Sequence, residues 1–243
     1  MKVFGFIAVL ITGALLLYAA GDLPDFGDAQ SAPSQAGTSK FYIEETYNES
    51  HVPNLVTAVL ADYRGYDTMF EVVVVFTAGI AIIAILRGLG VPTHRPDRPA
   101  PDDKIIQMTC RMLVPVVQLF ALYVLIHGHY SPGGGFQGGV IFGTSFILLA
   151  VSRDLEAALN RLSSRGFILT AALGVIIYAG HGIVSQALGG QFLEYGKLWP
   201  DDPTKGRYWA ILGVEVGVFF TVAAIMFGIY ANLSSRGTLE KGL

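Results

Sequence analysis

Five titratable side chains lie within or at the edges of long apolar stretches: Glu71, His127, His129, His181 and Glu215. An ionisable group at bilayer depth is expensive and by default faces a polar interior or a water path. Glu215 falls seven residues into the last apolar stretch, about 10 Å below its start at a rise of ~1.5 Å per residue. It is a candidate carrier, because a carboxylate accepts either a proton or a hard cation, and that competition is the basis of exchange. The plainer reading is a protonated glutamate hydrogen-bonded across a helix pair. Glu71 opens another stretch, where Thr68-Met69-Phe70-Glu71 also fits a capping box. His181 stands seven residues before the end of the fifth stretch, at a depth similar to that of Glu215 if the two helices are neighbours. Imidazole titrates at about pH 6.5 and a carboxylate partner raises that value, so the two suit a proton relay. A buried neutral histidine donating to a carbonyl is the alternative. An axial haem pair, His127 and His181, is a third use of such residues, with no other support in the sequence.

Residues 127–139 read HGHYSPGGGFQGG, between two apolar segments. Irregular backbone at membrane depth is tolerated only where it is buried in protein or lines water. Pro132 stops a helix, and Gly133-Gly134-Gly135 reach dihedrals closed to other residues. Gly138, Gly139 and Gly143 then give the next helix a smooth face for close approach. No strand precedes the run, so it does not fit a nucleotide-binding turn.

These residues need elements to hold them. The chain has 243 residues, 52% hydrophobic and 14% charged, with a mean hydropathy of +0.52. Soluble domains carry roughly a quarter charged residues, so the composition indicates an all-α, multi-pass membrane protein. Six stretches are near the ~20 residues a span needs: Val3–Ala20, Phe70–Leu89, Ile105–Ile126, Phe136–Val151, Phe167–Leu188 and Tyr208–Ala231. The first is read as a retained helix rather than a signal peptide, since its apolar run is long and the cleavage site poor. One cysteine, Cys110, excludes an internal disulfide and a four-cysteine metal site. No metal site or basic nucleic-acid patch is expected.

The Lys and Arg residues set the orientation. With both termini cytoplasmic, Arg87, Arg95, Arg98, Lys104, Arg111, Arg153, Arg161 and Arg165 fall inside, and segment 21–66, which is acidic, falls outside. Within it, 27–39 reads as an irregular linker and 54–67 as an amphipathic surface helix with Leu55, Val56, Val59 and Leu60 on its apolar face. Pro115 and Gln118 in the third helix suggest a kink lining a cavity. The organisation expected is a two-helix unit over 1–90, a Pro-rich linker over 91–103 and a four-helix unit over 104–243. All five titratable groups then lie in the outer half of the membrane. The inner half has no matching acid or lysine, so the chain offers half of a path and completes it against a neighbour.

GHYSPGGGFQGGVIFG resembles the signature of the B subunit of multisubunit Mrp-type Na+/H+ antiporters, the MnhB family, and the resemblance extends over about 104–231. Residues 62–87 resemble the C-terminal part of that family's A subunit, which also occurs as a small subunit of membrane-bound hydrogenases related to complex I. The resemblance implies a subunit of a cation/proton exchange assembly in the cell membrane, with other membrane subunits as partners and Na+ or H+ as cargo. It implies no cofactor and no catalytic centre of its own. Arg64, Asp67 and Glu71 match the first motif, with Tyr66 where phenylalanine is commoner. His129, Pro132, Gly133, Gly134, Gly135, Phe136, Gln137, Gly138 and Gly139 match the second. His127, His181 and Glu215 rest on position alone. A redox-driven ion pump or a purely structural scaffold would use a similar chain.

Overall fold

The computed structural model describes residues 2–35, 37–88, 103–235 and 239. Among these there is no strand, and six helices are long and apolar enough to cross a membrane. The chain divides into two compact units, Met1–Glu45 and Thr46–Leu243. The expected linker 91–103 lies outside the described residues except for Asp103.

In the first unit, α1 (Lys2–Ala20) is apolar on every side. Beyond it come α2 (Ala32–Gln35) and the start of α3 (Gly37–Ser50), so 27–39 is not wholly irregular. The reason is local: Asp28 accepts the Gln30 N–H (2.8 Å) and the Gln35 amide donates to the Ala29 carbonyl (2.8 Å), closing turns that lead into helix.

The second unit begins with the end of α3, the single turn α4 (Leu55–Ala58) and a π-helical turn, Val59–Tyr63, that feeds α5 (Gly65–Gly88). The expected surface helix over 54–67 is therefore broken in two. Its buried side is Thr57, Ala58 and Ala61, not the larger apolar residues; Val56 and Leu60 are exposed. The small residues win because they let this segment approach the helix bundle closely. Since α5 starts at Gly65 rather than Phe70, Thr68 lies inside the helix and its hydroxyl donates to the Leu60 carbonyl at 2.7 Å. The Thr68–Glu71 capping box is accordingly not formed.

Four more long helices follow: α6 (Lys104–Ile126), α7 (Gly135–Ser152), α9 (Ser164–Ala187) and α10 (Pro203–Ser234), with the short α8 (Leu155–Leu159) after α7. Asp103 caps α6 and Ser163 caps α9 by accepting their first free N–H groups. Helix α10 is the axis of the unit and the most enclosed of the six. It lies parallel to α7, with Gly135, Gly139 and Gly143 against Glu215, Phe219 and Ala223 in turn. It lies antiparallel to α9, where Phe167, Gly174 and His181 meet Gly228, Gly217 and Gly213. Helix α5 takes a third side, with Gly79 on Ile225. A Cβ at Gly139, Gly143 or Gly174 would run into α10 backbone, so glycine sets these spacings.

Several polar groups inside the bundle find partners, as the absence of water in lipid favours. Gln118 of α6, three residues after Pro115, donates to Ser145 Oγ of α7 (3.0 Å). Thr221 donates to the Ala171 carbonyl (3.0 Å). At the end remote from the glycine run, Arg87 of α5 donates to Asn232 Oδ1 (3.2 Å) and Ser164 Oγ (2.8 Å), tying α5 to α10 and α9.

Candidate functional site

Helix α6 ends in a 3-10 turn, His127–His129, which turns the chain back towards the bundle. The Gly134 N–H donates to the Val124 carbonyl at 3.1 Å, folding the loop onto the end of α6. Gly134 holds φ at 109° and ψ at −162°, a conformation that a side chain would strain. It offers no side-chain cap for α7, whose first N–H groups face the bundle interior.

Glu215 fills that role from another helix. Its carboxylate accepts the Gly135 N–H at the start of α7. The positive end of a helix suits an anion there. The glycines make the room. A Cβ at Gly128 would stand 2.9 Å from Glu215 Oε2, one at Gly134 would collide with Oε1, and one at Gly135 would collide with the Glu215 carbonyl oxygen. Glu215 is 8% exposed and its Oε2 has no hydrogen-bond partner. A buried carboxylate oxygen without a donor is costly unless it carries a proton or meets an ion.

His129 lies beside this carboxylate's loop, 1% exposed, with Nε2 unpartnered and its ring edge-on to Tyr208 at 4.4 Å. The Tyr208 hydroxyl pairs with that of Tyr130 at 3.1 Å nearer the surface. The loop is clamped from above by residues that sequence reasoning missed. Asn54 Nδ2 donates to the carbonyls of Gly128 (2.8 Å) and Ser131 (2.9 Å), its N–H donates to the His129 carbonyl (2.8 Å), and Thr57 donates to Gly128 (2.8 Å). The available signal was Asn54 as a helix cap, since its side chain also accepts the Val56 N–H.

The structure separates the other candidates from Glu215. Residues 213 and 215 are two positions apart, so they face nearly opposite sides of α10 at about 100° per residue. His181 sits on the 213 side: its Nδ1 is 2.8 Å from the Ile177 carbonyl and its Nε2 abuts Gly213. The expected His181–Glu215 relay is not formed. His127 stacks on Tyr123 (3.9 Å) with Nδ1 3.1 Å from the Tyr123 carbonyl. Asp67 and Arg64 form an exposed pair, with Nε 2.6 Å from Oδ2, a kind worth little by itself. Glu71 is exposed on α5. Pro132, Phe136 and Gln137 are exposed, while Gly138 and Gly139 are buried against α6 and α10. Among the described residues no group of three or more His, Cys, Asp or Glu side chains is arranged to hold a metal ion.

An all-α multi-pass membrane protein with a carboxylate seated in a glycine-lined helix start is the class these observations define. The family described as the domain related to the MnhB subunit of Na+/H+ antiporters matches residues 105–228, half of the chain, and the family described as the E subunit of MBH matches residues 28–102. The chain belongs to the MnhB family. It is 31% identical to the antiporter subunit mnhB2 of Staphylococcus haemolyticus (strain JCSC1435) over 135 residues, 55% of this chain and 95% of that one. It is 26% identical over 208 residues to a Rhizobium meliloti (strain 1021) chain named as the A/B subunit of a K+/H+ antiporter; the match covers 76% of this chain but only 21% of that relative. A chain of the membrane-bound sulfane sulfur reductase, an archaeal respiratory membrane complex, superposes with a TM-score of 0.69 at 28% identity, covering 96% of this chain and 97% of that one. A chain of the Mrp complex from Dietzia sp. DQ12-45-1b shares the fold, with a TM-score of 0.69 at 24% identity over 98% of this chain and 25% of that one.

Proposed function

We propose that the chain is a subunit of a multisubunit cation/proton antiporter in the cell membrane, in which Glu215 carries a proton or sodium ion along a half-path. The Lys and Arg distribution supports an outer position for the glycine-loop end. The observation that carries the reading is the Glu215 carboxylate, buried, with one oxygen unpartnered and the other side held by the start of α7. Such a group gains by taking up a cation. His129 is the next polar group on the same side, and Asp67 and Glu71 belong to the face of α5 that meets a neighbouring subunit. His181 has no place in this path, since it faces α9's own backbone and Gly213.

Glu215→Gln keeps an acceptor for the Gly135 N–H and removes the exchangeable charge. In vesicles holding the whole assembly, it is expected to abolish Na+-dependent dissipation of a pH gradient while the subunits still co-purify. Unchanged activity would exclude Glu215 from the path. The near full-length likeness to a chain of a respiratory complex supports a second reading, in which the same half-path serves a redox-driven pump. Mass spectrometry of what co-purifies in mild detergent separates them: iron–sulfur or other redox proteins beside antiporter-like subunits point to the pump, and their absence to the gradient-driven antiporter.

A further inference from the structure

A second polar cluster sits at the glycine-loop end of the unit, away from Glu215. Arg207, near the start of α10, donates through Nη1 to Glu49 Oε2 (2.8 Å) and Asp62 Oδ2 (3.2 Å). Tyr63 donates to the same Glu49 oxygen at 2.7 Å. Two carboxylates thus share one guanidinium, and the cluster is one negative charge in excess. Asp62 is the enclosed member, with its side chain 10% exposed. Burial pushes its carboxyl above the usual carboxylate range, against the opposing pull of Arg207.

A cavity of about 250 Å³ is lined by Glu194, Gly196, Lys197, Pro200, Pro203 and Arg207 of the cluster. Behind it Tyr195, in the 3-10 turn Tyr195–Leu198, is 1% exposed, and its hydroxyl lies beside that of Tyr178. That hydroxyl is 3.5 Å from where a Cβ on Gly65 would stand, three residues on from Asp62, and the Tyr178 hydroxyl is 3.8 Å from the same point. Tyr178 donates to the Gly65 carbonyl at 2.9 Å. The charge of Asp62 acts on both hydroxyls, and Tyr178 is also within electrostatic reach of Glu215 and Glu71.

We propose that Asp62 is a proton-loading site on the outer side and that the Tyr195 and Tyr178 hydroxyls relay its proton towards Glu215. The inference rests on the reading of Glu215 as the carrier. A proton fits this site better than a metal cation, because it needs one oxygen lone pair, whereas a hard cation needs about six oxygen ligands and both carboxylates here are already bonded to the guanidinium. A proton from cavity water forms an O–H bond on Asp62. Asp62 passes it to Tyr195 Oη as Tyr195 gives its own to Tyr178, and Tyr178 gives its own, through water, to the Glu215 carboxylate. Asp62 returns to carboxylate, Glu215 becomes the acid, and both hydroxyls are restored. The charged and titratable groups that act on Asp62 or on its partners are Glu49 of α3, Arg207 of α10, Tyr195 of the 3-10 turn and Tyr178 of α9, with Tyr63 bonded to Glu49.

The test measures Na+-driven proton movement in vesicles holding the whole assembly, across outer pH, for Asp62→Asn, Tyr195→Phe and Glu215→Gln. A positioned proton-transfer group contributes roughly 10²–10⁴-fold, so Asp62→Asn and Tyr195→Phe are each expected to lower the rate about tenfold or more, with the pH profile displaced. Asp62→Glu is expected to recover most of the rate. Tyr195→Phe removes only a hydroxyl, so it keeps the test valid if Asp62→Asn fails to assemble. Wild-type rate and pH profile in Tyr195→Phe, with Glu215→Gln inactive, would overturn the relay and leave the carrier reading intact. Wild-type activity in Glu215→Gln would overturn the carrier reading itself.

Discussion

Gly135→Ala adds one methyl group at the point where α7 meets Glu215. The new carbon would lie 2.8 Å from the Glu215 carbonyl carbon and 3.0 Å from its Cα, and would collide with the carbonyl oxygen. Those are backbone atoms in the middle of a long helix, so no side chain can swing aside. The two helices must part by roughly an ångström. Overpacking of this kind costs about 1–3 kcal/mol. Parting the helices also pulls the Gly135 N–H from the Glu215 carboxylate, and a hydrogen bond to a charged group is worth about 1.5–3 kcal/mol. Alanine regains up to about 1 kcal/mol over glycine in helix propensity. The net expectation is a loss of roughly 2–6 kcal/mol, read as a lower thermal midpoint of the purified assembly in mild detergent, together with lost Na+-dependent proton movement. Gly180→Ala, on α9, is the control: a Cβ there meets nothing within 4 Å, so the midpoint should hold or rise slightly. A Gly135→Ala protein as stable and active as wild type would refute the claim that the glycine run exists to admit Glu215.

Two further outcomes follow from the same geometry. Asn54→Ala removes donors to the Gly128 and Ser131 carbonyls, and should cost about 1–3 kcal/mol and raise amide hydrogen exchange across residues 127–135 without slowing exchange elsewhere. The raised carboxyl of Asp62 makes the folded protein bind more protons than the unfolded chain just above the ordinary carboxylate range. Its contribution to stability is therefore full below that range and is lost as pH rises through the folded-state value. Asp62→Asn should flatten that fall in a series of thermal midpoints against pH.

The spans were legible because hydropathy over some twenty residues outweighs any single residue. The start of α5 was not, since Gly65, Tyr66 and Asp67 read as the end of a separate surface helix over 54–67, and only the π turn before Gly65 shows where that helix gives way to the next. Glu215 was legible from the cost of its depth alone. Its partner was not, because depth says nothing about azimuth: His181 shares the level but meets Gly213, on the other face of α10. The glycine run read as freedom of backbone, and one dihedral at Gly134 bears that out. Its larger role, leaving space for a side chain some eighty residues away, needs the fold. Arg207 bonds Asp62 and Glu49 across 145 and 158 residues of chain, and nothing local in the sequence joins them.

Helix α5 is seated along most of its length: Val72 and Ile83 are buried in the core, Gly79 lies on Ile225, Tyr178 donates to the Gly65 carbonyl at 2.9 Å, and Arg87 bonds Asn232 and Ser164 at the far end. A covalent connection adds to those contacts by keeping α5 at an effective concentration on the order of millimolar beside α10. One chain in place of two thus fixes the ratio of α5 to α10 at one to one in any assembly the subunit joins.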